Sequence, residues 1–274
     1  MKKLSNNLFY AISIIFLVLS SFSYAELMIS PTRVLFKENS RTSDIVLINS
    51  GDQPRSYRID WEDYVALSQG GYRSLTIEEK ANYTGLSRLV RVSPKQVTLA
   101  PGQRQSVRLL IRNGSNLPTG EYRSHLVLTA LPNKNPGKSG INIDVLFSYS
   151  MPVIFRSGTV IVSPEISEVS LVYKKDIKKT FVKVDLYHND LFSSHGQLEA
   201  TWTPKNGTSR IVSMINGFNF YPETKTASVQ LPWKDFKLEP GTLEVRYEGQ
   251  AEFSGLLLGQ KTLTITQQMI NSIR

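Results

Sequence analysis

The chain has 274 residues, 41% hydrophobic and 20% charged, with 17 Gly, 13 Pro and no Cys. That balance excludes a disordered, collagen-like or coiled-coil chain. The formal charge of +9 is not by itself a nucleic-acid signal, and the lack of cysteine removes thiol catalysis, thiolate metal sites and disulfides.

Lys2 and Lys3 precede an apolar run from Leu8 to Leu19, followed by Ser23-Tyr24-Ala25 with a small residue at each end. A basic start, a short apolar core and an A-x-A-like site make a secretory signal peptide over 1–25. The run is too short for a spanning helix, which needs about 20 apolar residues, and no later stretch approaches that length. Removal of these 25 residues, two of them lysines, leaves 249 residues with a charge of +7. The expected product is exported and soluble. Without disulfides it must fold by burying apolar surface, as one large domain or two ordinary ones.

The periodicity beyond Ala25 is strand-like almost throughout. Leu27–Ile29, Val34–Phe36, Asp44–Asn49 and Ser56–Tyr64 are predicted strands, the last two parted by the turn-forming Asn49–Pro54. Leu75–Tyr83 is polar without period 2, and reads as a loop with at most one helical turn. Leu89–Val92, Gln96–Leu99, Ser106–Arg112 and Tyr122–Leu131 follow, broken by Ala100-Pro101-Gly102 and by Pro118-Thr119-Gly120. Tyr122, opening a strand just after a tight turn, fits a tyrosine corner, in which the hydroxyl ties back to upstream backbone. An ordinary Tyr in a half-buried strand fits the same motif.

Ile141 to Phe155 is different. Every odd position is apolar or aromatic, from Ile141, Ile143, Val145 and Phe147 to Tyr149, Met151, Val153 and Phe155. Fifteen residues would extend about 50 Å at about 3.3 Å each, longer than one sandwich buries. Either the strand bends between sheets, or part of its apolar face projects beyond its own core. An open apolar edge is normally suppressed and is best explained by a partner that pairs with it.

A second set of strands begins near Val160 and includes Phe181–Tyr187, Gln197–Trp202, Ser228–Leu231 and Leu243–Tyr247. Turns every 8–12 residues are the signature of β-sandwiches. The fold class is therefore all-β: two immunoglobulin-like sandwiches, over 26–157 and 158–274. The connection near Ser157–Ser163 is short, which implies a set angle and a cleft between them. Lys174, Lys175, Lys178 and Lys179 cluster at a hairpin turn and read as a solvated turn. His188 and His195 read as loop histidines, since neither metal-ligand spacing nor a third ligand is present.

Several ordered motifs resemble one family. Pro31-Thr32-Arg33-Val34-Leu35-Phe36 resembles the first-strand T-R-x-x-F motif of PapD-like periplasmic pilus chaperones. Ile48-Asn49, the turn with Pro54, and Trp61 continue in register. Pro94 through Leu109 resembles the family stretch P-x-x-x-x-L-x-P-G-x-x-x-x-V-R-L, and Ala130-Leu131-Pro132 its strand end. The likeness covers the first domain and is weak in the second.

That resemblance implies two Ig-like domains that bind pilus or fimbrial subunits in the periplasm and deliver them to an outer-membrane usher. The subunits lack their last strand, and the chaperone lends its own. Ile141, Ile143, Val145 and Phe147 match the lent, or donor, residues. The short Pro132–Gly140 loop resembles chaperones that serve pili more than those with long loops. The family anchors the subunit's C-terminal carboxylate with two basic side chains. One maps onto Arg33. The other, a lysine of the lent strand, is missing, with Ser150 and Pro152 at the aligned positions, a departure that resembles the archaic-type branch. Arg123 is the expected substitute, since it and His125 lie opposite the core-facing Tyr122, Leu126 and Leu128. Charge-assisted guanidinium contacts suit a carboxylate. Glu121 and Arg156 map onto a charge pair that holds the domains at their angle, with Glu252 as the acid from the second domain.

The sequence carries no G-x-S-x-G, H-E-x-x-H, P-loop or dinucleotide fingerprint, so no catalytic residue, cofactor or metal is expected. Neither nucleic acid nor membrane insertion after signal cleavage is expected of the scattered positive charge. The rival is an exported Ig-like structural or adhesive fibre component. Against it stand an apparently complete first sandwich and the lack of a donor extension before Leu27.

Overall fold

Short runs of alternating apolar and polar residues form eighteen strands among the described residues. The computed structural model describes residues 26–36, 40–83, 85–112, 117–132, 146–234 and 236–273. The expected signal segment 1–25 and the expected donor residues Ile141, Ile143 and Val145 lie outside the described residues.

The first sandwich holds β1 (Leu27–Ser30), β2 (Val34–Leu35), β3 (Thr42–Asn49), β4 (Arg55–Glu62), β5 (Tyr64–Ala66) and β6 (Tyr72–Ser74). Helix α1 (Ile77–Asn82) follows, then β7 (Val90–Ser93), β8 (Gln96–Leu99), β9 (Arg104–Ile111), β10 (Gly120–Ala130) and β11 (Ser148–Ser157). One sheet has the order β1-β3-β9-β7 and the facing sheet β2-β11-β10-β4-β8. Between them lies a core that includes Ile45, Leu47, Tyr57, Leu109, Leu126, Leu128 and Val153. The Tyr122 hydroxyl donates to the Pro118 carbonyl at 2.9 Å, so the tyrosine corner is present.

Helix α1, six residues long, is somewhat more than the one helical turn expected of polar Leu75–Tyr83. The Thr76 side chain and the Glu79 backbone and side chain cap it reciprocally. The predicted strand Ser56–Tyr64 breaks at Asp63, and its last residue starts a separate hairpin, β5–β6.

The second sandwich holds β12 (Glu165–Lys174), β13 (Lys179–Tyr187), β14 (Ser194–Pro204), β15 (Arg210–Phe220), β16 (Thr226–Pro232), β17 (Gly241–Gly249), β18 (Leu257–Ile265) and helix α2 (Gln267–Ser272). Its sheets are β12-β13-β16 and β15-β14-β17-β18. Trp202 and Trp233 meet edge to face in its core, with centroids 5.5 Å apart. A third, small cluster of Ala66, Ile154 and Tyr221, with Leu35 against it, joins the two sandwiches. No helix among the described residues is long and apolar enough to cross a membrane.

Candidate functional site

The described part of the predicted long strand is β11, Ser148–Ser157. Its odd residues Met151, Val153 and Phe155 enter the first core, and Tyr149 packs against it. Farther toward the N-terminus the chain leaves the core, and Phe147 is 56% exposed and its neighbour Leu146 41%.

The hydrogen-bond direction follows from two contacts. The Ala130 amide donates to Phe147 O at 3.0 Å from the β10 side, and the Phe36 amide donates to Ile154 O at 2.9 Å from the other. Because an antiparallel ladder alternates, odd residues of β11 bond β10 and even residues point outward. On that outer side β2 pairs only with Val153 and Ile154. The outward backbone groups of Ser148 and Ser150 therefore have no strand partner among the described residues, whereas Pro152 stands at the first rung of β2. Pro152 contributes a carbonyl but no N–H.

Arg33 leads into β2 and reaches across to the second sandwich. Its Nη1 and Nη2 donate to Glu252 Oε2 and Oε1 at 3.0 and 2.7 Å. Glu252 sits in the turn Ala251–Phe253 after β17, where Ala251 adopts a positive φ of 52°. A non-glycine residue held there is strained. Gly249 lets that turn fold back on the strand, since a β-carbon on it would lie 2.1 Å from Phe253 O. Burial opposes charge on Glu252, but the hydrogen bonds and charge of Arg33, with the charge of Arg156, together outweigh it and hold the carboxyl below its ordinary value.

Arg156 joins the same group. Its Nη1 lies 3.1 Å from Glu252 Oε1, its Nε donates to Glu121 Oε2 at 2.9 Å, and its Nη2 donates to Ser193 O at 2.7 Å. Glu121 Oε2 also accepts from the Ser193 amide and hydroxyl at 3.0 and 2.7 Å. Glu121, Arg156 and Glu252 thus meet in one network across the two sandwiches, and the Arg156 and Glu121 side chains are buried.

Arg123 needs a correction. It points away from the first core, as alternation requires, but it does not face an open cleft. Its side chain is only 4% exposed and pairs with Glu223 of the second sandwich. The guanidinium lies 3.7 Å from the centroid of the Tyr221 ring and donates to Tyr64 O at 3.0 Å. Hairpin β5–β6 covers this patch. Tyr72 reaches the Tyr221 hydroxyl at 3.3 Å, the Ala66 amide donates to Glu223 at 3.0 Å, and the Ser228 amide donates to Ser68 O at 2.7 Å. His125 lies beneath, 5.1 and 4.8 Å from the Tyr64 and Tyr72 ring centroids. Neither of its ring nitrogens has a partner, and burial pushes its pKa down to about 3.

His188 is likewise buried instead of solvated. Its Nδ1 accepts from the Asp190 amide at 3.2 Å, which leaves Nε2–H to donate to the carbonyls of Tyr221 and Thr224 at 3.1 and 3.0 Å. His195 Nδ1 bonds the Asn219 side chain at 2.9 Å. The two histidines hold separate loops, and among the described residues no group of three potential ligands could hold a metal. Glu223, Tyr221, Tyr64 and Tyr72 had no signal in the sequence, since no motif marks a strap that closes on a distant carboxylate.

Residues 26–160 match the family described as "Pili and flagellar-assembly chaperone, PapD N-terminal domain". No curated protein matches the sequence. Among solved structures, the CupB2 chaperone of Pseudomonas aeruginosa is similar at 15% identity and a TM-score of 0.46, covering 86% of this chain and 97% of that one. The CsuC–CsuE chaperone–tip adhesion subunit complex of Acinetobacter baumannii gives 14% and 0.45, with 88% and 99% covered. The Salmonella enterica SafA pilin in complex with the SafB chaperone gives 13% and 0.45, with 89% and 99% covered. By the match over 26–160, the first sandwich belongs to the family of pili and flagellar-assembly chaperones with a PapD N-terminal domain.

Proposed function

We propose that this chain is a periplasmic chaperone that lends β11 and the segment leading into it to incomplete Ig-like pilus or fimbrial subunits, then passes them to an outer-membrane usher. The observation that carries the reading is the outer edge of β11. Ser148 and Ser150 offer unpaired backbone groups there, beside the exposed side chains of Leu146 and Phe147. A client strand adds along such an edge by main-chain hydrogen bonds, while alternate apolar side chains fill its open groove. Each large side chain so buried contributes about 1.5–3 kcal/mol.

Ile141, Ile143, Val145 and Phe147 are the proposed donor residues, and 26–157 and 158–274 the proposed domains, consistent with a separate core in each. Arg33 is the proposed anchor for the client's C-terminal carboxylate. Its fork already holds a carboxylate, that of Glu252, in bidentate fashion. Arg123 is sealed under hairpin β5–β6, so Arg33, where a client carboxylate would take the place of Glu252, carries that role without it. Glu121, Arg156 and Glu252 set the angle between domains. Signal removal after Ala25 places the protein in the periplasm, with no catalytic chemistry, cofactor or metal in the mechanism.

The test is co-expression with the small exported β-proteins encoded beside it, followed by purification. Wild type brings down a stoichiometric complex. Phe147→Asp loses it while keeping its urea midpoint, because the side chain is already exposed. Full recovery of the complex with Phe147→Asp and with Arg33→Ala overturns the reading.

A further inference from the structure

Hairpin β12–β13 ends in Lys174-Lys175-Asp176-Ile177-Lys178-Lys179. Lys174 and Lys179 are direct cross-strand partners, an arrangement that like charges disfavour. Ile177 stands at the apex, 50% exposed. Lys178 beside it holds a left-handed φ of 52°, a conformation that a residue with a β-carbon adopts at a cost.

The fold adds charge from elsewhere in the chain. Lys178 and Lys179 share a depression of about 480 Å³ with Lys234 and Lys237, floored in part by Tyr173 and Phe236. Arg210 stacks over Phe236 at 5.3 Å, and the Lys174 amine lies 4.8 Å from the Phe181 ring. Among the described residues, only Lys237 of these lysines has a carboxylate within 4.0 Å, Glu239 at 3.0 Å.

We propose that this end of the second sandwich docks on an anionic lipid membrane, with Ile177 entering the headgroup layer and the lysines meeting the surface charge. Three observations favour lipid over an acidic protein. The apex is a convex turn carrying an exposed aliphatic side chain, which suits a yielding interface. Its cations at the turn are all lysines, point charges that suit a diffuse anionic surface, whereas oriented carboxylates select the guanidinium fork, and the one guanidinium nearby, Arg210, lies over the Phe236 ring. Four lysines flank the apolar apex against one acid, Asp176, a basic excess of the kind interfacial anchors carry. No spanning segment is involved.

The test is co-sedimentation of the full chain with vesicles at low salt. Vesicles containing phosphatidylglycerol bind it, pure phosphatidylcholine vesicles do not, and raised salt releases it. Replacing Lys174, Lys175, Lys178 and Lys179 by Gln weakens binding at least a hundredfold, at about fivefold per lysine. Ile177→Ser, with charge unchanged, weakens it about fivefold or more. A control with Lys80, Arg91, Arg104 and Lys261 changed to Gln carries the same net charge and keeps most of the binding. Unfolding midpoints confirm that each variant is folded, since all these positions lie on the surface. Three results overturn the proposal: no binding to phosphatidylglycerol vesicles, equal loss in the control, or binding to soluble polyglutamate as tight as to vesicles with Ile177→Ser silent.

Discussion

Glu252 Oε1 lies 2.7 Å from a nitrogen of Arg33 and 3.1 Å from a nitrogen of Arg156. A single oxygen of the second sandwich therefore holds two guanidinium groups of the first, one before β2 and one near the end of β11. Removing its charge leaves both cations short of a partner in a half-buried site. Glu252→Gln is expected to lower stability by about 2–3 kcal/mol, as loss of one member of a buried charge network does. Urea unfolding measures this, and a double-mutant cycle with Arg33→Ala isolates their coupling. Additive effects of the two changes would show that the contact contributes nothing.

The sign of the pH dependence follows from His125. Its folded pKa lies near 3, against about 6.5 for a free histidine. Between those values the unfolded chain binds more protons, so stability falls as the solution is acidified from pH 6.5 toward 3. The slope reaches about 1.4 kcal/mol per pH unit. Glu252, held below its ordinary value, adds a further loss once the pH falls below about 4.3, where the unfolded chain's carboxyl takes up its proton first. In His125→Phe the first part of this slope is absent. Parallel curves of urea midpoint against pH for the two proteins would refute the assignment.

Glu223 is the only carboxylate within 4.0 Å of the buried Arg123 guanidinium among the described residues. Glu223→Ala strands that cation under hairpin β5–β6, and is expected to cost about 3 kcal/mol. Amide exchange should report the loss first over residues 64–74, the segment that the pair pins to the second sandwich. Exchange that is unchanged there would show that the hairpin is held by its tyrosines alone.

Tyr122→Phe removes one hydroxyl and its bond to Pro118 O. The expected loss is about 1 kcal/mol, the net value of a hydrogen bond of this kind. A thermal scan suffices, and an unchanged midpoint contradicts it.

What could be read from the sequence was local. Period 2 marked most strands, and the turn before Tyr122 marked its corner, because both depend on neighbours a few residues apart. The Glu121–Arg156–Glu252 triad was legible through family likeness. Alternation correctly put Arg123 on the face away from the first core, but what covers that face comes from far along the chain. Glu223 is 100 residues downstream, and no periodicity encodes such a meeting. The carbonyls that bury His188 belong to Tyr221 and Thr224, on a different turn. The four clustered lysines lie at an exposed hairpin turn as their pattern implied, but that Lys234 and Lys237 stand alongside is set by the fold.

Pro152 occupies an outward position of β11, where its ring offers an acceptor and no donor. A sticky ladder is hazardous in a concentrated compartment, since two identical molecules could zip together and seed insoluble fibres. The imino acid offers no donor and β2 closes the edge just beyond it, so any such zipper ends after Ser150. Toward the domain junction the open edge is thereby confined to Ser148 and Ser150 among the described residues.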